Sequence, residues 1–90
     1  MTKKEQYEAF LITVVLGRAK GISDEAIVEG IRTVCKHQVG LLGDKWHAAA
    51  KIVCAQMLSS IEMSLVCGTY EETVDNIKWI CEQHVNGEFD

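Results

Sequence analysis

Cysteine and histidine are the residues of this sequence whose types and spacing come closest to a reactive site. Cys81 and His84 are three residues apart, and on a helix this spacing makes their side chains neighbours. Such a pair supplies two ligands to a zinc ion, or it joins a nucleophilic thiol to a base. Cys35 and Cys54 add two thiols that a fold can bring near. The pattern therefore allows a metal site, a thiol enzyme or a set of small core residues.

The neighbouring residues favour the third interpretation. Zinc requires about four nitrogen or sulfur ligands, usually supplied as closely spaced pairs. The sequence has one such pair, with no CxxC motif and with Gln38 three residues after Cys35. A reactive thiolate needs nearby positive charge, whereas Glu82 adjoins Cys81. We therefore predict a non-enzymatic protein with no catalytic residues, no cofactor and no metal, and Cys81 and His84 are the residues that a metal would bind if it were present.

Four helices are predicted to position these residues. Proline is absent, and the glycines fall mostly where helices would end. The predicted helices span about 2–20, 23–40, 44–67 and 69–85, and each begins with good capping residues, namely Thr2 with Glu5, Ser23, Asp44, and Thr69 with Glu72. Because the connections are short, we expect one all-α domain, residues 1–90, arranged as an antiparallel four-helix bundle.

The second and fourth helices belong to an internal repeat with an offset of 46 residues. Four apolar positions recur as identical residues at helical spacing: Val28, Ile31, Cys35 and Val39 correspond to Val74, Ile77, Cys81 and Val85. Internal similarity of this kind indicates one structural unit used twice. The bundle is therefore predicted to consist of two related helical hairpins, hairpin 1 at about 2–40 and hairpin 2 at about 44–87.

The third helix is apolar or small around most of its circumference. Between Trp46 and Cys67 only Lys51 and Glu62 are charged. A helix of this composition needs cover on all sides, whereas a four-helix bundle leaves each helix partly exposed. We predict that its outer side is the interface of a homo-oligomer, formed by Ala48, Ile52, Ala55, Ser59 and Met63. A compact monomer with a central third helix is the alternative.

Charge is distributed unevenly along the chain, in a way that favours a basic partner. Residues 62–90 hold seven acidic side chains against Lys78 alone, whereas residues 1–61 hold six acidic and eight basic side chains. Trp79 projects among these acidic groups, and an aromatic residue ringed by polar groups is typical of a binding hot spot. A C-terminal tail, 88–90, that folds over Trp79 is the alternative. We predict an interaction protein of the accessory, inhibitor or immunity type that binds another protein through hairpin 2, with contact residues Trp79, Glu72, Asp75 and Glu82.

A ligand-binding protein is the second functional prediction. A small molecule or a metal ion would occupy a polar pocket between the hairpins, lined by Cys35, Gln38, His47, Cys54, Cys81 and His84. Alternatively, a small molecule would lie at an oligomer interface where two copies of the first helix bring Tyr7, Arg18 or Lys20 together.

Composition and motifs disfavour nucleic acid and membranes as partners. The net charge is −4, and the acidic half repels anionic surfaces. Residues 16–34 have the length of a helix-turn-helix, but the second helix of this segment begins Ser23-Asp24-Glu25, so DNA binding is the weakest functional prediction. The apolar run Ala9 to Gly17 is too short to span a bilayer. Without a recognisable export signal, we expect reduced thiols and a cytoplasmic protein.

Overall fold

Each predicted helix has a counterpart in the structure. The computed structural model describes residues 2–40 and 48–87. Within them lie four α-helices, α1 (Lys3–Ala19), α2 (Asp24–Gly40), α3 (Ala48–Cys67) and α4 (Tyr70–Val85). The all-α prediction is therefore confirmed. The predictions for Asp44, His47 and the tail 88–90 lie outside the described residues.

Helices α1, α2 and α4 begin at the capping residues that the sequence indicates. Thr2 and Glu5 form a full capping box at α1, with each side chain accepting a bond from the other residue's backbone N–H (3.1 and 3.2 Å). Ser23 accepts a backbone N–H of α2 at 3.2 Å. Thr69 accepts the backbone N–H of Glu72 at 3.2 Å, but the Glu72 carboxylate accepts the Thr69 hydroxyl. The second capping box therefore has the bond from the Glu72 backbone to the Thr69 side chain, while the Glu72 side chain binds the Thr69 hydroxyl in place of the Thr69 backbone N–H.

The helix contacts cross between the two halves of the sequence. The most extensive contacts join α1 to α4 and α2 to α3 in antiparallel orientation, and α1 and α2 contact each other least. Each helix of hairpin 1 therefore packs mainly on a helix of hairpin 2. Where α1 meets α2, a Cβ on Gly17 would lie 3.0 Å from the Ile27 side chain, so the glycine permits this approach. The radius of gyration, 12.6 Å, is close to the value of about 12 Å expected for a compact chain of this length.

The core contains residues from all four helices at helical spacing. The inner face of α3 consists of Ala50, Val53, Met57 and Ile61, which are all buried. Three repeat positions on each of two helices are also buried, namely Val28, Ile31 and Cys35 on α2 and Val74, Ile77 and Cys81 on α4. Periodicity of the apolar residues thus predicts the inward faces correctly.

Two arginines link helices at the surface. Arg18 of α1 contacts Asp24 (3.3 Å) and Asp75 of α4 (2.9 Å). Arg32 of α2 contacts Glu62 of α3 (2.7 Å). Ion pairs with this exposure contribute little to stability, because water and salt screen them. Their main consequence is local, because they determine which carboxylates on α3 and α4 are already neutralised.

Candidate interaction surface

Trp79 lies on the outside of α4, as helical periodicity predicts, and is 56% exposed. The neighbouring Ile77 points inward, and Ile80 is half-buried at the edge where α4 meets α3. At this edge Trp79 lines two depressions. We call Trp79 together with these two depressions the α3/α4 groove.

The first depression has a volume of about 330 Å³ and is lined by aromatic side chains from two helices. The ring of Tyr7 on α1 stacks on the ring of His84 on α4, with centroids 3.8 Å apart and planes at 5°. The Tyr7 hydroxyl donates a hydrogen bond to Oε1 of Gln56 on α3 at 2.9 Å. Because Tyr7 is only 2% exposed, these contacts join α1, α3 and α4 beneath the depression. The other lining residues are Met57, Ser60, Trp79 and Ile80.

The second depression, of about 360 Å³, is bordered by Trp79 and by a cluster of polar groups. The hydroxyls of Ser64 on α3 and Thr73 on α4 are 2.8 Å apart. Nδ2 of Asn76 donates to Oγ of Ser64 at 3.1 Å. Since these bonds connect α3 to α4, they fix the width of the groove at this end. Ser60, Met63 and Ile80 complete the lining.

The acidic residues predicted to contact a partner surround Trp79 unevenly. Glu72 and Asp75 are exposed, and Glu82 is half-buried. Asp75 lies 2.9 Å from Arg18, so its charge is partly neutralised within the chain. From their spacing on the helix, Asp75 and Glu82 lie on the α1 side of Trp79, while the depressions lie on its α3 side. Glu72, seven residues before Trp79, lies nearly in line with the indole, so two of the three acidic residues lie on the edge away from the depressions.

The thiols Cys35, Cys54 and Cys81 lie in the core, and each is 0% exposed. Burial raises the pKa of the Cys81 thiol to about 12, and the charge of Glu82 adds to this rise. Burial, together with the neighbouring Cys54 and Cys81, raises the pKa of the Cys35 thiol well above its usual range. Because burial keeps these thiols protonated at neutral pH, it lowers their reactivity as nucleophiles. The three side chains pack among the apolar residues of the core.

The residues of the predicted polar pocket occupy two different places. The three thiols are in the core, whereas His84 stacks on Tyr7 at the α3/α4 groove. Across residues 2–40 and 48–87, no group of three or more His, Cys, Asp or Glu side chains is arranged to hold a metal ion. Oε1 of Gln38 is buried and has no hydrogen-bond partner in the described part of the chain. The predicted pocket residue His47 lies outside that part.

The outer side of α3 is exposed, as a role in an interface requires. Ile52 is 44% exposed and Met63 is 70% exposed, and Ala55 and Ser59 are exposed as well. The side chain of the predicted interface residue Ala48 is not among those that the structure describes. Val66, 85% exposed, extends the same side. The uncovered side of α3 is therefore longer than the sequence predicts.

The apolar character of α3 also makes it the one helix of the described chain that is long and apolar enough to cross a membrane. The segment Ala50–Cys67 has a mean hydropathy of 1.3, and 28% of it is buried. The inward residues Val53, Met57 and Ile61 belong to the shared core. Core helices of water-soluble proteins can have the same length and composition, so these two properties are by themselves weak evidence for a membrane partner.

Sequence reasoning did not find Gln56 and Ser60 as residues of the surface, and it suggested a different position for Tyr7. The sequence suggests Tyr7 at a contact between two copies of the first helix, whereas the structure buries it beside His84. These residues come from helices far from Trp79 in sequence, and the periodicity of one helix does not identify its neighbours. The sequence feature that points to such a contact is the Tyr7 hydroxyl, because a tyrosine hydroxyl on a buried face needs a hydrogen-bond partner.

Comparison with known proteins adds no family to these observations. No family model matches the chain, and no curated protein or solved structure is significantly similar to it.

Proposed function

We propose that the protein is a non-enzymatic interaction protein, of the accessory, inhibitor or immunity type, that binds a basic partner protein through the α3/α4 groove. The observation that carries this proposal is the position of Trp79, which is 56% exposed between depressions of about 330 and 360 Å³. A tryptophan that becomes buried between pockets on binding is typical of interface hot spots. The neighbouring depressions give a partner's side chains a place to pack around the indole.

The charge beside the groove supports a basic partner. Residues 62–90 hold seven acidic side chains against Lys78 alone. Arg18 neutralises part of the charge of Asp75, whereas Glu72 and Glu82 form no ion pair within the described chain. Charges at the edge of an interface mainly accelerate association, and salt screens their effect. Binding should therefore weaken as the salt concentration rises.

A binding measurement with Trp79→Ala tests the site. The wild-type protein is used to capture its partner, and the affinity of the purified pair is then measured by calorimetry. We expect Trp79→Ala to weaken binding by about 30-fold, which corresponds to about 2 kcal/mol. Val34→Ala is the matched control, because Val34 is an exposed apolar residue of α2 (47%), and it should leave the affinity unchanged. An unchanged affinity for Trp79→Ala would show that the site is assigned wrongly.

We also propose that the protein works as a homo-oligomer in the cytoplasm and that its two hairpins derive from one repeated unit. The exposed apolar residues Ile52, Met63 and Val66 on α3 support self-association. The shared burial of the repeat positions on α2 and α4 supports the repeat. All four cysteines are free thiols, which suits a reducing compartment.

A small molecule bound in the first depression is the second candidate function. The volume of about 330 Å³ falls in the range of about 300–1,000 Å³ typical of ligand sites. Its lining combines stacked rings with the Gln56 amide and the Ser60 hydroxyl, which suits a flat molecule with one or two polar groups. A native mass spectrum that exceeds the denatured mass, in wild type but not in Ser60→Trp, would support this candidate. Identical native and denatured monomer masses would exclude it.

A further inference from the structure

The outward-facing residues of α3 form one continuous strip. Five of them lie within an arc of about 80°, because successive residues of a helix are about 100° apart. They are Ile52, Ala55, Ser59, Met63 and Val66. They are exposed, with values of 44% for Ile52, 70% for Met63 and 85% for Val66. We define the α3 strip as Ile52, Ala55, Ser59, Met63 and Val66. Exposed apolar surface of this kind marks an interaction site.

We infer that the α3 strip packs against the α3 strip of a second copy of this chain, with the two helices antiparallel about a twofold axis near Met57. This inference rests on the self-association proposed above and specifies its geometry. The strip shares Met63 with the second depression of the α3/α4 groove, so the tests below use variants at other positions of α3.

Charge complementarity selects the antiparallel orientation. Lys51 and Glu62 lie on the same edge of the α3 strip, about 11 residues or 16 Å apart along the helix. When two identical helices pair antiparallel, equal edges face each other, so Lys51 of each copy faces Glu62 of the other. In a parallel pair this edge would face the opposite edge, which carries the uncharged Gln56 and Ser60. Only the antiparallel pair therefore joins opposite charges.

Both charges are suited to a partner from outside the chain. Lys51 has no carboxylate of the described chain within 4 Å. Glu62 shares the single guanidinium of Arg32 with Glu29, at 2.7 and 3.4 Å, so this cluster keeps one net negative charge. The Glu62 side chain is also 48% exposed. A lysine from a second copy would neutralise the remaining charge.

The shape of the strip selects nearly the same register. An apolar depression of about 260 Å³ lies at one end of the strip and is lined by Glu62, Met63, Val66 and Cys67. Ile52 projects near the other end of the strip. The midpoint between Ile52 and this depression lies near Leu58, and the midpoint between Lys51 and Glu62 lies beside Met57. These midpoints differ by about 3 Å along the axis, a distance that a flexible lysine can span. One twofold axis therefore satisfies both pairings.

The residues at the inferred axis permit a close approach. Ala55 and Ser59 are the outward residues on either side of it, and small side chains let helix axes pack at about 8 Å. The strip is about 21 Å long and about 10 Å wide, so it covers less than half of the about 800 Å² per partner in a standard interface. We therefore expect a dimer with a dissociation constant in the micromolar range.

Sedimentation equilibrium with charge-reversal variants tests the inference. Wild type should change from 10.0 kDa to twice this mass as its concentration rises through the micromolar range. Lys51→Glu should weaken the dimer by about tenfold or more, because it places like charges opposite each other. The double variant Lys51→Glu, Glu62→Lys should restore most of this loss. Lys20→Glu, at the exposed C-cap of α1, makes the same charge change on a different helix and should have no effect.

Cross-linking gives a second readout that does not depend on the charge variants. With Cys67→Ala as background, Ala55→Cys should form a covalent dimer with a short bis-maleimide, because the two copies of residue 55 lie near the axis. The native Cys67 thiols would be about 30 Å apart and should give no such product.

The outcomes separate the inference from the proposals on which it rests. A monomer at all concentrations overturns both the dimer and the self-association proposal. Three results would overturn the antiparallel register alone. They are a dissociation constant that Lys51→Glu leaves unchanged, a weakened dimer that the double variant does not restore, and a covalent dimer formed through Cys67. None of these results affects the binding measurement with Trp79→Ala.

Discussion

Helices α2 and α4 are alike on their inner faces and different on their outer faces. The inner positions of the repeat are at most 2% exposed and carry identical residues, namely Val28 and Val74, Ile31 and Ile77, and Cys35 and Cys81. Outside, Thr33 of α2 corresponds to Trp79 of α4. The Thr33 hydroxyl donates to the backbone oxygen of Glu29 at 2.8 Å, whereas Trp79 lines two depressions. Close packing restricts the inner positions, whereas exposed positions can accept different side chains without disturbing the core.

The likeness ends at the last repeat position. Val39 of α2 is 42% exposed, whereas the corresponding Val85 of α4 packs against the core. An identical residue therefore does not guarantee an identical environment. The comparison between the helices holds for the middle turns, and substitutions there test it.

The largest expected effect comes from truncating the equivalent isoleucines. Ile31→Ala and Ile77→Ala should each destabilise the fold by about 2–5 kcal/mol, because each leaves a cavity in close-packed surroundings. Urea unfolding followed by circular dichroism measures both values. Val34→Ala, on the exposed side of α2, is the control and should change stability by less than about 0.5 kcal/mol. A small loss for one isoleucine beside a large loss for the other would contradict the equivalence of the inner faces.

The inner faces and the helix ends were the predictable part of this fold. Apolar spacing identifies Ile31 and Ile77 as inward residues, and Thr2, Ser23 and Thr69 mark helix starts because their side chains accept backbone N–H groups. The packing partners of the helices were not predictable. An apolar face can be covered by any other apolar face, so periodicity does not reveal that α1 packs on α4 and α2 on α3.

A second, smaller effect concerns the buried thiols at equivalent positions. Burial raises the pKa of Cys81 from the usual 9.0 to about 12, so between these pH values the unfolded chain loses a proton that the folded chain keeps. The contribution of this difference to the free energy of unfolding is fully present below pH 9. It decreases as the pH rises further, by at most about 1.4 kcal/mol per pH unit for each thiol. Burial raises the pKa of the Cys35 thiol as well.

Urea unfolding at a series of pH values above neutrality measures this decline. Cys81→Ala and Cys35→Ala should each show a shallower decline than wild type, even if both are less stable at neutral pH. Cys67→Ala is the matched control, because this exposed thiol contacts water before and after unfolding. A decline that neither core variant changes would mean that burial does not hold these thiols in their protonated form.

The candidate surface was predictable only in part, and for a related reason. The angular position of Trp79 on α4 follows from periodicity within one helix. Tyr7 and Gln56 belong to α1 and α3, and their hydrogen bond of 2.9 Å depends on how three helices meet. Single-helix patterns therefore identify the projecting residue but not the depressions beside it.

Exchanging the outer residues of the repeat has the smallest expected effect on stability and separates surface from scaffold most directly. Trp79→Thr gives α4 the outer residue of α2. It should reduce stability by about 1–2 kcal/mol, because the indole is 56% exposed and the substitution removes the contacts of its buried part. The reciprocal Thr33→Trp should change stability by about 0.5 kcal/mol or less, since Thr33 is exposed. If the depressions matter as much as the indole, Thr33→Trp will not restore partner binding to the Trp79→Thr chain. Restored binding would show that an exposed tryptophan on either helix suffices, and the difference between α2 and α4 would then reduce to one side chain.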